Sequence, residues 1–314
     1  MKRVVRIGGG SSGYSLLRGL KQFPVEITAA VNMFDSGGSS GVLRDEFGIL
    51  PPGDVRRALA ALASDERAGI LRNLFNYRFK EGGSVNGHSF GNLFLAALSD
   101  LYGSDMEAIQ KASVLLDITG TVLPVTLDKS HIHVRLENGE EIVGETNIDI
   151  PKHDGSLRIT DLWLDPPAKI CPDTDRAIRE ADVIVFGPGD LYSSIAPNLI
   201  VEGMPEALAA SKAQKVAVVN LMTKWGETHG FSATDFVREL ARFGTLEKFD
   251  VAICHTAPFP PETLERYAAQ KQYPIMYDES LSRYAARIIT GDFASEADIA
   301  RHDGERLAAA IASL

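Results

Sequence analysis

The stretch Val4-Val5-Arg6-Ile7-Gly8-Gly9-Gly10-Ser11-Ser12-Gly13-Tyr14-Ser15-Leu16-Leu17-Arg18-Gly19-Leu20 decides the fold. Val4 to Ile7 is a short β-branched run that stops on glycines, and Ser15 to Leu20 then offers apolar positions at helical spacing. The reading is strand, tight turn, helix. Val25 to Asn32 repeats the strand signal, so the chain opens with a βαβ unit whose strands are parallel. Gly8, Gly10 and Gly13 satisfy G-x-G-x-x-G in that context. The whole turn, with Gly9, Ser11 and Ser12, is a candidate phosphate site, because glycines let backbone amides approach a pyrophosphate at a helix N-terminus. The motif alone is weak, since a turn packed tightly for steric reasons carries the same glycines.

Outward from this turn, three further clusters repeat its logic. Asp35, near the end of the second strand, can accept from a ribose hydroxyl, and Gly37, Gly38, Ser39 and Ser40 behind it form an anion nest at the carboxyl end of a parallel strand. Asp54, in Leu50-Pro51-Pro52-Gly53-Asp54, is read as the N-cap of the next helix and, with Asp35, as a candidate Mg²⁺ ligand. Gly87-His88-Ser89-Phe90-Gly91-Asn92 sits at a helix start, where His88 could donate to phosphate and Asn92 could bond a ligand or a neighbouring loop. Phe186-Gly187-Pro188-Gly189-Asp190 again runs from strand into glycines, so two such turns would flank one ligand across a switch in strand order. Asn220 and Thr223 after a later strand are candidates for sugar hydroxyls, and Arg301 for a diphosphate.

The pattern between these clusters divides the chain. Residues 54 to 117 read as helix-rich, with Phe90, Leu93, Phe94, Ala97, Leu98 and Leu101 on one helix face and Ser104-Asp105-Met106-Glu107 in capping-box form. From 120 to 165 the period changes to two, and Asn138-Gly139 between His131–Leu136 and Glu141–Gly144 signals a hairpin. Strand and helix then alternate again from Asp182. The expectation is a single α/β unit over 1–314, a Rossmann-like three-layer sandwich with a mainly parallel sheet. Its core is expected at 1–50 and 180–314, with a helical and hairpin elaboration over about 54–165.

The 314 residues carry 45% hydrophobic and 24% charged side chains, ordinary for a globular protein. A net charge of -10 opposes a broad nucleic-acid footprint. Cys171 and Cys254, the only two cysteines, suit neither a disulfide framework nor a zinc site. No segment approaches the length of a membrane span, and the N-terminal apolar run ends too soon for a secretory signal, so a cytoplasmic location is expected. His131 and His133 share a strand face, but two ligands make a poor metal site. The helix Leu307–Leu314 is read as packing internally, with a homo-oligomer left open.

Five segments taken together, GGGSSGYSLLRGLK, DSGGSSGVLRDEFGILPPGDVRRAL, GHSFGNLFLAAL, FGPGDLYSSIAPNLIVEG and NLMTKWGET, resemble the family that joins 2-phospho-L-lactate transferase to the bacterial gluconeogenesis factors. The resemblance runs from about Val4 to the C-terminal helix. The GGSSG and LPPGD runs are similar to the gluconeogenesis-factor branch. That branch implies binding of UDP-sugars, notably UDP-N-acetylglucosamine, and an effect on carbon metabolism, the cell wall and cell shape. The transferase branch implies transfer of a phospholactyl group from a guanosine diphosphate donor to a deazaflavin, with Mg²⁺. One departure bears on this choice. The family usually carries two successive acids before GGSSG, where this chain has Asp35 and Ser36, and a single carboxylate holds Mg²⁺ less well.

Three functions follow as expectations: a nucleotide-sugar-binding regulator, a Mg²⁺-dependent transferase, and a nicotinamide dehydrogenase resting on the first turn plus Asp35. No nucleophile or acid-base pair stands out. A dinucleotide or a UDP-sugar is the expected ligand, and the base, the sugar and the protein partners stay open.

Overall fold

The computed structural model describes residues 1–66, 68–295 and 300–314. Its strands are β1 (Lys2–Gly8), β2 (Val25–Val31), β3 (Thr121–Pro124), β4 (His131–Leu136) and β5 (Glu141–Val143), then β6 (Ile159–Asp165), β7 (Val183–Phe186), β8 (Gln214–Val218), β9 (Phe249–His255) and β10 (Ala285–Gly291). The first helices are α1 (Gly10–Leu20), α2 (Gly38–Phe47), α3 (Gly53–Leu62), α4 (Gly69–Asn76), α5 (Phe90–Tyr102) and α6 (Asp105–Leu115). The remainder are α7 (Glu145–Asp149), α8 (Pro172–Glu180), α9 (Ala196–Leu199), α10 (Met204–Ala210), α11 (Ala233–Gly244), α12 (Pro261–Ala268) and α13 (Gly304–Ala312).

Seven strands form one sheet in the order β10-β9-β8-β7-β1-β2-β3, and every neighbouring pair is parallel. Strands buried on both faces need apolar residues at every position, and β7, Val183-Ile184-Val185-Phe186, is buried throughout. Its alternate residues enter different cores. Val183 and Val185 join Val4, Leu16, Leu17 and Leu307 on one face, while Ile184 and Phe186 join Val5, Ile7, Phe236 and Phe249 on the other. Helix α13 packs on α1 through Leu307, Ala308 and Ile311, so the C-terminal helix is internal as expected. Among the described residues, no helix is long and apolar enough to cross a membrane.

The chain winds outward from β1 in two directions, to β2 and β3 on one side and to β7 through β10 on the other. Connections leaving β1 and β7 therefore diverge, and a crevice opens beyond their carboxyl ends. Both glycine turns lie there.

Four local expectations change. Asp54 is not a helix cap, because α3 begins at Gly53 behind Pro52 and the Asp54 carboxylate turns to other partners. Gly37 to Ser40, read as an anion nest, opens helix α2, whose first turn contains the hydroxyls of Ser39 and Ser40. Thr121–Pro124, taken as the start of the antiparallel segment, is instead the parallel edge strand beside β2. The hairpin of β4 and β5 gains a third strand, β6, which pairs antiparallel with β4. β10 carried no period-two signal because it is an edge strand with three of its seven residues exposed and only one buried; it is parallel to β9.

Candidate functional site

Arg6 is the unusual residue of β1: a cation inside a buried β-branched run, 2% exposed. Its Nε donates to the Gly187 carbonyl at 3.1 Å and its Nη1 to Gly8 at 2.6 Å, while Nη2 donates to Gly9 at 2.8 Å and to Pro188 at 2.6 Å. One guanidinium thus ties the turn after β1 to the turn after β7. Burial pulls its pKa down to about 10, with Asp54 working in the opposite direction, so it stays charged at neutral pH. Gly13 is a glycine for the same reason: a Cβ there would stand 2.5 Å from Arg6 Cζ.

Asp54 braces the turn from the other side. Its Oδ1 accepts from the Gly10 amide at 2.9 Å and from Arg57 at 2.6 Å, and its Oδ2 occupies the space a side chain on Gly9 would need. Gly9 donates to the Ser194 carbonyl at 3.1 Å. The amides left for a ligand are those of Ser11 and Ser12, in the first turn of α1, where a helix supplies no internal acceptor. On the opposite turn, Asn220 donates to the Gly189 carbonyl at 2.7 Å and accepts from the Gly189 amide at 3.3 Å.

Two cavities share this floor. The first, about 290 Å³, is lined by Gly10, Ser11, Ser12, Gly189, Asp190, Asn220, Thr223, Lys224, Tyr267 and Arg301. The second, about 410 Å³, is lined by Gly10, Ser11, Asp35, Gly37, Gly38, Ser39, Ser40, Asp54, Asn92 and Asp190, with Arg56, Arg57, Arg78, Glu145 and Asp149. Gly8, Gly9, Gly13, Gly187 and Pro188 line neither, and act beneath the surface through Arg6. Thr223 is partly committed, since its hydroxyl accepts from the Tyr273 amide at 2.9 Å. His88 stands behind Ser39, bonded Nδ1 to Oγ at 3.0 Å, and Asn92 donates to Ser39 and Ser40 at 3.1 and 3.4 Å. These two residues therefore hold the N-terminus of α2 against that of α5.

Ser36, the departure from the paired acids, docks α7 onto the nest. Its hydroxyl accepts from the Thr146 amide at 3.1 Å and lies 3.1 Å from the Thr146 hydroxyl, while its amide donates to Glu145 at 3.4 Å. A second carboxylate thus reaches Asp35 from α7 instead of from position 36. Burial, then Asp35 and Asp149, push the Glu145 pKa up to about 8. Burial and Asp54 also raise Asp35, tempered by the Gly37 amide at 2.9 Å.

Between the cavities Lys224 bonds Asp149 of α7, Asp190 at 2.8 Å and Glu227 at 3.2 Å. Burial opposes its charge, but the three acids hold it firmly protonated. Glu227 is buried and in turn accepts from the Tyr192 and Ser193 amides at 2.8 and 3.2 Å. Lys224, Glu145 and the arginines of α3 were not read from the sequence. Arg6 carried a visible signal as a charge within an otherwise apolar strand, and Arg56-Arg57 stood next to the named Asp54. Glu145 carried none, because only the folded hairpin brings it to Asp35.

The sequence matches the family of 2-phospho-L-lactate transferase CofD over residues 4–294. The chain belongs to the CofD family. Within that family it is 40% identical over 313 residues to the gluconeogenesis factor of Halalkalibacterium halodurans, covering 99% of this chain and 95% of the relative. It is 37% identical over 319 residues to the gluconeogenesis factor of Bacillus subtilis strain 168, covering 100% and 98%. A crystal structure of a UPF0052-family protein from Bacillus halodurans superposes with a TM-score of 0.93 at 39% identity, covering 99% of both chains.

Proposed function

We propose that this chain is a nucleotide-sugar-binding regulatory protein of the gluconeogenesis-factor type, with UDP-N-acetylglucosamine as the ligand class and carbon metabolism, cell wall and cell shape as the processes affected. The observation that carries the reading is the pairing of two glycine turns on one buried guanidinium at the switch in strand order. That arrangement points backbone amides and the hydroxyls of Ser11 and Ser12 at one small polar cavity. Arg301 offers a cation to a diphosphate there, and Asn220 and Thr223 offer polar atoms to a nucleoside. Calorimetric titration with UDP-N-acetylglucosamine, UDP and GDP tests the reading. Binding of the uridine ligands is expected, and absence of binding to every uridine nucleotide overturns it.

Asp35 and Glu145 favour a second reading, Mg²⁺-dependent phospholactyl transfer from a guanosine diphosphate donor to a deazaflavin. Both offer hard carboxylate oxygens beside Gly37, which suits Mg²⁺, whereas Asp54 is engaged by Arg57 and the Gly10 amide. A bound Mg²⁺ would neutralise phosphate charge. The chain's own part would be to orient the donor on the Ser11 and Ser12 amides. Mg²⁺-dependent release of nucleoside monophosphate on mixing donor and deazaflavin supports this reading, and binding without turnover favours the regulator.

A further inference from the structure

The larger cavity contains a buried cation with no acid of its own. Arg56, on α3, is 8% exposed, and its head is held by neutral groups. Nε donates to Asn92 Oδ1 at 3.1 Å, and Nη1 donates to Asn76 Oδ1 at 2.9 Å and to the Phe75 carbonyl at 3.5 Å. Arg78, which donates to the Gly87 carbonyl, lines the same wall. Among the described residues, neither arginine has a carboxylate within ion-pair distance. The third arginine, Arg57, is matched to Asp54. An uncompensated guanidinium this deeply buried is costly, and an anion on that wall relieves the cost.

The other acids of the cavity do not fill this role. Asp149 and Asp190 are ion-paired to Lys224. Asp35 and Glu145 accept from backbone amides, those of Gly37 and Ser36. The cavity therefore holds unpaired guanidinium groups together with hydrogen-bond acceptors. The first turns of α2 and α3 line the same space and add amide donors.

We propose that the larger cavity is a second ligand site that takes a small hydroxylated phosphate monoester, its phosphate on Arg56 and Arg78 and its hydroxyls toward Asp35 and Glu145. Guanidinium forks and helix amides together suit a phosphate's several oxygens. The carboxyl groups of Asp35 and Glu145 favour hydroxyls over a second anion. This rests on the preceding reading only in giving the nucleotide to the smaller cavity.

Calorimetric titration of the full chain with glycerol 3-phosphate, with glycerol as the uncharged control and UDP as the nucleotide probe, tests the assignment. Glycerol 3-phosphate is expected to bind and glycerol not to. Arg78→Gln, a change at an exposed side chain, is expected to weaken glycerol 3-phosphate by about tenfold or more while leaving UDP unchanged. Arg301→Gln is expected to leave glycerol 3-phosphate unchanged. Arg56→Gln should repeat the Arg78→Gln result if it folds. No binding of glycerol 3-phosphate at about 10 mM overturns the proposal. So does binding that UDP displaces, or that Arg301→Gln abolishes and Arg78→Gln does not. Arginine-dependent binding of the ester without any binding of UDP leaves this site standing and removes the nucleotide reading alone.

Discussion

A Cβ on Gly13 would stand 2.5 Å from Arg6 Cζ, so the last glycine of the first turn makes room for the guanidinium that joins both turns. In the general motif that glycine serves close packing of helix on strand. Here it serves a cation held by four carbonyl oxygens. Gly13→Ala is expected to destabilise the fold by roughly 1–3 kcal/mol through overpacking. Arg6→Met is expected to cost more, roughly 3–5 kcal/mol, because it strands four buried acceptors at once. Urea denaturation measures both. A smaller loss for Arg6→Met than for Gly13→Ala would show that the guanidinium is not what joins the turns.

The Gly9–Asp54 contact yields a second expectation. A side chain at Gly9 must displace the Asp54 carboxylate, which releases the Gly10 amide and unpairs Arg57. Gly9→Ala is therefore expected to weaken binding of UDP by about tenfold with the far-ultraviolet circular dichroism unchanged. Gly10→Val acts differently. Gly10 has φ +79°, which strains any side chain there, and its Cβ would meet only the Ser194 hydroxyl at 3.8 Å, so the change distorts the turn as well as entering the space beside it. Thermal melting with and without UDP separates the two: Gly9→Ala should lose mainly the ligand-induced shift, and Gly10→Val should also lower the unliganded Tm.

The parallel core was legible because β1, β2, β7, β8 and β9 are continuous apolar runs that end on glycine, asparagine or loop polarity. The first glycine turn and the Gly187–Asp190 turn were legible for the same reason. What was not legible depends on distant partners. Asp54 sits where a cap belongs, yet it is turned toward Gly10 by tertiary contact. Ser39 and Ser40 gave no helix signal because serine and glycine are poor helix formers, and the start of α2 is held by Asn92 and His88 instead of by local propensity. Glu145 and Lys224 come from a hairpin insertion and the loop after β8, and no spacing in the sequence brings them to Asp35 and Asp190.

His302 supplies a pH dependence with a definite sign. It is fully buried, and its Nε2 lies 3.2 Å from the Val219 carbonyl, so the neutral ring carries its proton on Nε2 and donates there. Burial pulls its pKa down to about 4, partly offset by Val219. The folded state therefore binds its proton more weakly than the unfolded chain does. This contribution is complete above the ordinary histidine range and is lost as pH falls through it toward 4, amounting to a few kcal/mol, on the order of 3. His302→Gln is expected to lower the Tm at pH 7 but to flatten its decline between pH 7 and pH 4. Parallel Tm–pH curves for the two proteins would remove His302 from acid destabilisation.

Lys224 carries the sharpest electrostatic prediction. The carboxylate oxygens of Asp149, Asp190 and Glu227 lie within 4.8 Å of one another, and Lys224 is the cation that matches them. Replacing it with methionine keeps much of the aliphatic stem and removes only the charge. Three facing acids are then unmatched, one of them buried against the amides of Tyr192 and Ser193. Lys224→Met is expected to cost roughly 3–5 kcal/mol at neutral pH. The loss should shrink as the solution is acidified, because protonation relieves the repulsion. Adding Asp149→Asn to Lys224→Met should recover part of the loss by removing one of the three charges, giving a coupling energy of roughly 1 kcal/mol or more in a double-mutant cycle. Strictly additive losses would mean that the lysine packs between the cavities without holding α7 to the sheet. A recovered double variant would make this ion cluster the fastening by which the hairpin insertion closes the second cavity.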